Sequence, residues 1–449
     1  MRKTLQHFFV KIISENIDFI KAKINRSSLS KRLFEGMSWT LIGNVVGKFL
    51  QLLAFIFVAR LVGKQEYGQI SIIRSTLNMF LVFSSVGMGV TATRYIAMYR
   101  TSNPHRAYEI YRFTKKTVIW LGMIISVVIF LLSSYIAENQ LNDLHLSNAL
   151  KIGAVILFLM TITSVQMGAL NGFERFKEVG INSALNGIIL LISVLLGAYL
   201  WGINGVIAGL GITSFILVLQ LWFSLKKDIS KIRTAEKNKD DEKLDSSSIF
   251  LKFSLPAVLQ GLVVIPVLWW VKTFLIDNAG YGEMATFDVA EQWYYVVLFV
   301  PNSLGTILLP LLTNTNYNGS KEQYNKLLKV NMLINVGVTF IIAVSVALFS
   351  PLIYKFYGKE FTDYQPLIIL MITVVICAVN NVLGQVITSK GKMWIGFGVN
   401  ALWAIWLITF SVIFVGKYNM GALGLAYALL VSYTLHSILQ GFVALRMKF

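Results

Sequence analysis

SWTLIGNVVGKFLQLLAFIFVARL, residues Ser38 to Leu61, decides the fold. A helix rising about 1.5 Å per residue crosses the roughly 30 Å hydrocarbon core of a bilayer in about 20 mostly apolar residues. This stretch is long and apolar enough to do so once, and before its closing Arg60 it carries one charge, Lys48, near the middle. The same rule finds Gly68 to Ala92, Thr117 to Ala137, Ala149 to Leu170, Gly180 to Trp201 and Asn204 to Ser224. A second set runs Phe250 to Ile276, Phe287 to Thr313, Leu328 to Ser350, Gln365 to Thr388, Trp394 to Gly416 and Met420 to Ala444. Composition agrees: of 449 residues 56% are hydrophobic and 14% charged, with mean hydropathy +0.66, against roughly 25% charged in a soluble domain. The expected fold is an all-α polytopic membrane protein with 12 transmembrane helices.

An even number of spans puts both termini on one side, and Lys/Arg bias names that side. Of the 40 Lys and Arg, four lie within spans or at their edges (Lys48, Arg60, Arg74, Lys272) and five in loops opposite the termini (Lys64, Lys151, Lys355, Lys359, Lys417). The rest lie on the termini's side, so both termini are expected to be cytoplasmic. The net charge of +18 is then a topology signal and not a nucleic-acid footprint. One Cys, Cys377, and four scattered His, His7, His105, His145 and His436, supply neither a disulfide framework nor a metal site, and no cofactor is expected beyond an ion gradient.

Residues 1–35 place Leu5, Phe9, Ile12, Ile13, Ile17, Ile20 and Ile24 near helical spacing with Lys3, Lys11, Lys21 and Lys23 among them. They read as a basic amphipathic cytoplasmic segment lying on membrane lipids or as a basic tail. Residues 226–249 mix Lys with Asp and Glu and read as a cytoplasmic linker. They separate an N-lobe, residues 36–225, from a C-lobe, residues 250–449. The halves share patterns: Gln166 and Gly172 fall on Gln385 and Gly391, and Gly202-Ile203-Asn204-Gly205 on Gly421-Ala422-Leu423-Gly424. Six spans per half give two copies of like orientation, hence two pseudo-symmetric lobes around a central cavity, a geometry suited to alternating access.

Charges inside such spans cost about 2.5–3.5 kcal/mol each on insertion scales and mark what passes through. Asn44, Lys48 and Gln51 share one face of the first span; Ser71, Arg74, Ser75 and Asn78 one face of the second. Asp288, Glu291, Gln292, Tyr295 and Asn302 do so on the eighth, and the seventh offers Gln260, Trp269 and Lys272 with Pro256 and Pro266 as bending points. Lys48 falls near the midplane, while Arg74 and Lys272 fall roughly 6 to 9 Å from the outer ends of their spans. A structural alternative has Lys272 snorkelling to the outer interface and Arg74 paired with Glu291; it leaves Lys48 unexplained. Asn380, Asn381, Gly384, Gln385 and Thr388 read equally as glue between helices, and Trp269, Trp270, Trp293, Trp394 and Trp403 as an aromatic belt. A cationic patch in a cavity selects an anionic guest, with phosphate or pyrophosphate the obvious chemistry.

Leu33-Phe34-Glu35-Gly36-Met37-Ser38-Trp39, the run Ala59 to Gly68 (ARLVGKQEYG), Ala169-Leu170-Asn171-Gly172 and the Gly-rich start of the twelfth span resemble bacterial polysaccharide flippases of the O-antigen, capsule and teichoic type. These belong to the multidrug/oligosaccharidyl-lipid/polysaccharide exporter superfamily. The resemblance implies translocation of an undecaprenyl-pyrophosphate-linked oligosaccharide between leaflets, through a cavity lined by the first, second, seventh and eighth helices. It implies that Lys48, Arg74 and Lys272 attract the pyrophosphate, with Asn44, Gln51, Asn78, Gln260 and Trp269 around the glycan. Glu291 or Asp288 is the candidate for coupling to a proton or sodium gradient. The partners expected are the anionic lipid-linked oligosaccharide, membrane lipids and glycan-polymerising or assembly proteins. Two other readings stay in view. A cation-coupled multidrug antiporter would share the fold but favour an acidic cavity, and a membrane glycan polymerase or ligase would need larger outer loops or a catalytic cluster. A transporter, not an enzyme, is expected.

Overall fold

The computed structural model describes residues 28–234, 255–318, 321–390 and 392–446, all helices and short connections. Residues 1–27 of the basic segment, residues 235–249 of the linker and the side chain of Gln260 lie outside the described residues. The first half comprises α1 (Ser28–Val62), α2 (Lys64–Ser85), α3 (Met88–Tyr99), α4 (Pro104–Asn139), α5 (Ser147–Gly172) and α6 (Phe176–Arg233). The second comprises α7 (Leu255–Asn318), α8 (Lys321–Leu348), α9 (Ser350–Tyr357), α10 (Gln365–Ser389), α11 (Met393–Ser411), which runs on into a π turn at Val412–Lys417, and α12 (Gly421–Arg446).

Among the described residues nine helices are long and apolar enough to cross a membrane, ten if α2 and α3 form one bent span. The two longest, α6 and α7, are each two limbs meeting at a break, which supplies a crossing for each of the twelve expected spans. Glycine makes both breaks possible: Gly202 has φ 55° and Gly280 φ 81°, backbone that a Cβ disfavours. The connections expected between the fifth and sixth and between the seventh and eighth spans are therefore tight reversals, at Trp201-Gly202 and at Gly280 alone.

Four expectations need correction. The second span is not one straight helix; it bends by 46° between α2 and α3. The seventh does not break at proline, since the backbone stays helical through Pro256 and Pro266 and leaves that region at Gly280. The outer connection read as the loop Pro351 to Tyr364 contains the two-turn helix α9. Trp403 is no interfacial tryptophan but a core residue, 2% exposed and tilted against Tyr433.

Helices α1 and α6 pack closely because small residues let backbone meet backbone. A Cβ on Gly43 would collide with the Gly180 carbonyl, and one on Gly47 with that of Ser183. Each half forms its own bundle: α6 packs on α1 and α5, and α10 on α7, α8 and α12. Between halves, α2 packs along α7 and α9 touches α1.

The bonds that cross between halves gather toward the end away from the termini. Arg60 Nε donates to the Phe356 carbonyl at 2.5 Å, and the Lys64 amide to Glu360 Oε2 at 2.8 Å. Asn142 Nδ2 donates to Asp277 Oδ1 at 2.8 Å, and the Tyr281 hydroxyl to the Leu141 carbonyl. Further in, α2 and α7 are bonded through Tyr67, Ser71 and Thr76. Thr76 lies twelve residues into α2, a depth of about 18 Å. Two residues beyond it Asn78 is exposed. The two halves thus close on each other at one end.

Candidate functional site

Asp288 on the second limb of α7 is the centre of the closed region, 6% exposed. It accepts from Tyr67 Oη at 3.0 Å, from Ser71 Oγ at 2.5 Å and, on its own helix, from Gln292 Nε2 at 2.6 Å. Gln292 also donates to the Tyr67 hydroxyl. Arg74 Nη1 stands 3.9 Å from Asp288 Oδ2, within ion-pair reach but beyond a hydrogen bond. The guanidinium packs on Phe55, 3.7 Å from the ring centroid, a cation–π contact. Arg74 and Asp288 therefore form a charge pair across the two halves, reinforced by hydroxyls from α2.

Lys272 and Glu291 form a second pair. Lys272 Nζ donates to Glu291 Oε2 at 2.6 Å, with the residues 7% and 9% exposed. Both belong to α7, one on each limb, so this bond holds the two limbs of a broken helix together. Lys272 does not snorkel to the interface, and Arg74 takes Asp288 as its partner in place of Glu291.

Lys48 differs from both. Among the described residues no carboxylate lies within ion-pair distance of it, and its side chain is exposed. Its Nζ lies 5.4 Å from the centroid of Phe299, on the second limb of α7, so the side chain points toward the other half. Asn44, Lys48 and Gln51 together wall a cavity of about 160 Å³ that α5 and α6 complete with Met167, Ser183 and Asn186. Asn186 Oδ1 is buried there without a hydrogen-bond partner among the described residues. The cation thus stands over a small polar recess that holds an unused acceptor.

The structure brings Asn44, Lys48 and Gln51 to one place, and Arg74, Asp288, Lys272 and Glu291 to another. Trp269 belongs with the second group, its indole N–H donating to Thr76 Oγ1 at 2.9 Å. Asn78 is exposed on α2 just inward of that bond. The α10 amides bond between helices of the second half: Asn381 Nδ2 donates to Asn302 Oδ1 at 2.9 Å, and Asn380 Nδ2 reaches the Tyr433 carbonyl at 3.4 Å. Three residues escaped sequence reasoning. Tyr67 sits in a run between the first and second spans, Thr76 lies off the polar stripe of α2, and Asn186 lies in a span from which no polar residue was singled out. Only Asn186 left a signal, since Asn182 and Ser183 lie one turn before it in an otherwise apolar stretch.

A helical bundle of this many crossings, with two halves meeting along α2 and α7 and a buried charge pair at their seam, is the build of a membrane transporter. A multidrug transporter of the MATE family in an inward-facing conformation superposes with TM-score 0.75 at 13% identity, covering 91% of this chain and 98% of that one. A transporter of the MOP superfamily from Pyrococcus furiosus, described for the reverse polarity of its binding pocket, gives 0.68 at 13% identity, covering 94% and 96%. The family described as "Polysaccharide biosynthesis protein" matches residues 33–316, and the chain belongs to it. The EPS I polysaccharide export inner membrane protein EpsE of Ralstonia solanacearum is 22% identical over 313 residues, 69% of this chain and 70% of that protein. EpsE of Ralstonia nicotianae is 21% identical over 299 residues, 64% of this chain and 66% of that protein.

Proposed function

We propose that this transporter carries an undecaprenyl-pyrophosphate-linked oligosaccharide from the inner to the outer leaflet of the bacterial plasma membrane by alternating access. Lys48 carries the reading: a cation at mid-span, unpaired among the described residues, facing the other half across an aromatic ring. An unpaired ammonium at that depth is costly unless a guest supplies the counter-charge, and a pyrophosphate does so with several acceptor oxygens. Arg74 is a secondary contact, because Asp288 already accepts three shorter bonds and leaves Arg74 Nη1 without a hydrogen-bond partner among the described residues. Lys272 is assigned to the fold and not to the guest, since Glu291 holds it. In this reading Asn44, Gln51 and Asn78 meet the glycan.

The Lys/Arg bias of the loops makes the closed end the outer one, with both termini cytoplasmic. In this orientation the cavity admits its guest from the inner leaflet, and outward opening requires parting α2 from α7. Asp288 is the coupling group. Protonating it removes the charge that Tyr67, Ser71 and Arg74 converge on, weakening the seam between halves, so a proton entering from outside favours opening. Cation antiport is the weaker alternative, because both Asp288 and Glu291 are engaged by protein donors.

The decisive experiment is reconstitution into liposomes with a pyrophosphate-linked lipid oligosaccharide, scoring its arrival in the opposite leaflet with and without a proton or sodium gradient. Transport by the parent and its loss in Lys48→Ala at equal protein abundance is the expected result. Efflux of a cationic dye without movement of the glycolipid overturns it.

A further inference from the structure

At the end of the bundle that carries the termini, α4 and the last turns of α6 part around a cavity of about 650 Å³. Five cations border it, Arg112, Lys115 and Lys116 from α4 and Lys226 and Arg233 from α6. All five are exposed, and among the described residues none lies within ion-pair distance of a carboxylate. Asp228, the acid in the same turns of α6, is taken: Arg175 Nε and Nη2 each donate to one of its oxygens at 2.8 Å. Such a concentration of unneutralised charge calls for an anion.

The rest of the lining says what kind of anion. Ile119, Leu225 and Ile229 make an apolar floor, and Tyr108 and Trp222 stand at the rim, with Lys226 Nζ 5.6 Å from the Trp222 ring. Amphipathic aromatics of this sort settle at the level of lipid headgroups. Toward the membrane centre the apolar surface continues along exposed Ile124, Val127 and Leu131 of α4 and exposed Leu219 and Phe223 of α6. A cationic pocket at headgroup level, opening onto apolar strips on both walls, matches an anionic head carrying acyl chains. Basic pockets between membrane helices bind phospholipid headgroups by this chemistry. We propose that this groove binds the phosphate headgroup of an anionic phospholipid, at a site separate from the Lys48 recess, which shares none of its lining residues and is walled by α1, α5 and an earlier stretch of α6.

The test is thermal unfolding of the purified full chain in neutral detergent, titrated with phosphatidylglycerol, with phosphatidylcholine or with inorganic phosphate. Phosphatidylglycerol is expected to raise Tm saturably while phosphatidylcholine and phosphate do not. The triple variant K115Q/K116Q/K226Q should keep the lipid-free Tm and weaken the phosphatidylglycerol response by about tenfold or more; K355Q/K359Q, at the opposite end, should respond as the parent does. Native mass spectrometry, counting phosphatidylglycerol retained by the single variant K226Q, gives the same answer if the triple variant does not fold. Equal shifts with both lipids, an unchanged response in the triple variant, or a shift reproduced by phosphate alone would each overturn the proposal. So would a response that emerges only after Asp240→Asn, Asp241→Asn and Glu242→Gln, which would give the groove to the chain's own acidic linker. The transport reading stands or falls separately, since Lys48→Ala leaves this titration unchanged.

Discussion

Lys48 and Lys272 are the same residue type in membrane-spanning helices, yet Lys272 ends 2.6 Å from Glu291 while Lys48 meets an aromatic ring and a polar recess. Arg74 falls between them, paired with Asp288 across the two halves at 3.9 Å but without a close hydrogen bond from Nη1. The three cations thus form a series: one serves to join two limbs of a helix, one to join two halves, and one has no carboxylate partner among the described residues, which is why the proposed function gives it to the guest. A buried charge is a poor guide to function until its partner is known, because removing one member of a pair damages the fold whatever the pair does.

The comparison breaks most directly at Lys48. Loss of one partner from a desolvated charge pair costs about 2–5 kcal/mol in binding, so Lys48→Ala should lower transport by roughly 30-fold to several thousand-fold. Abundance and Tm should barely change, because among the described residues no ion-pair partner is lost, only the contact with the Phe299 ring. Lys48→Arg should retain much of the activity. A Tm drop in Lys48→Ala as large as the transport loss would move Lys48 into the structural class with Lys272.

Lys272 should behave in the opposite way. Lys272→Met leaves Glu291 buried without its cation and should cost about 3–5 kcal/mol of stability. Replacing both, Lys272→Met with Glu291→Leu, should recover most of that loss, since buried ion pairs can be exchanged for apolar residues at little net cost. The checks are Tm and membrane abundance of the single and double variants. Should the double variant be stable but fail in transport, the pair would have a second task beyond joining the limbs of α7.

Asp288→Asn tests the middle of the series. The carboxylate's bonds to Tyr67 and Ser71 are charge-assisted, each worth about 1.5–3 kcal/mol, and an amide keeps the shape while losing the charge. The expected result is a population shift toward the form opened between α2 and α7, with transport that no longer responds to a proton gradient. Spin labels at Leu144 and Lys359, both exposed and on opposite halves, would read the shift as a longer distance component. An unchanged distance distribution together with intact proton dependence would remove Asp288 from the coupling role.

Much of this was legible beforehand, and the parts that were not share a physical cause. Apolar length fixes a span, so each crossing could be placed from residue counts alone, and Lys48 stood out by depth. Partner choice could not be read the same way. Asp288 and Glu291 lie three residues apart on one face of α7, and which of them meets Arg74 depends on how α2 slides along that face. The reversal at Gly202 falls where the fifth and sixth spans were expected to meet, but the one at Gly280 was hidden because a span's apolar length is silent about whether the chain loops or turns on one residue. The approach of α1 to α6 was visible in principle as Gly43-Asn44-Val45-Val46-Gly47, small residues spaced one turn apart.

The gentlest test concerns the last bond of the closed region, where Trp269 donates to Thr76 at 2.9 Å. Thr76→Val keeps the shape of the side chain and removes the acceptor, leaving an indole N–H that is part-buried and unbonded. A neutral hydrogen bond contributes about 0.5–1.5 kcal/mol, so the balance between closed and open forms should move roughly 2- to 12-fold toward opening. The Leu144–Lys359 label pair should lengthen in the same sense as for Asp288→Asn, by a smaller population. Because Thr76 carries no charge, proton dependence should survive, and that separates a weakened seam from a lost coupling group. If Thr76→Val abolished proton dependence as well, closure itself and not the Asp288 charge would set the response, and Arg74 would join Lys272 as a purely structural cation.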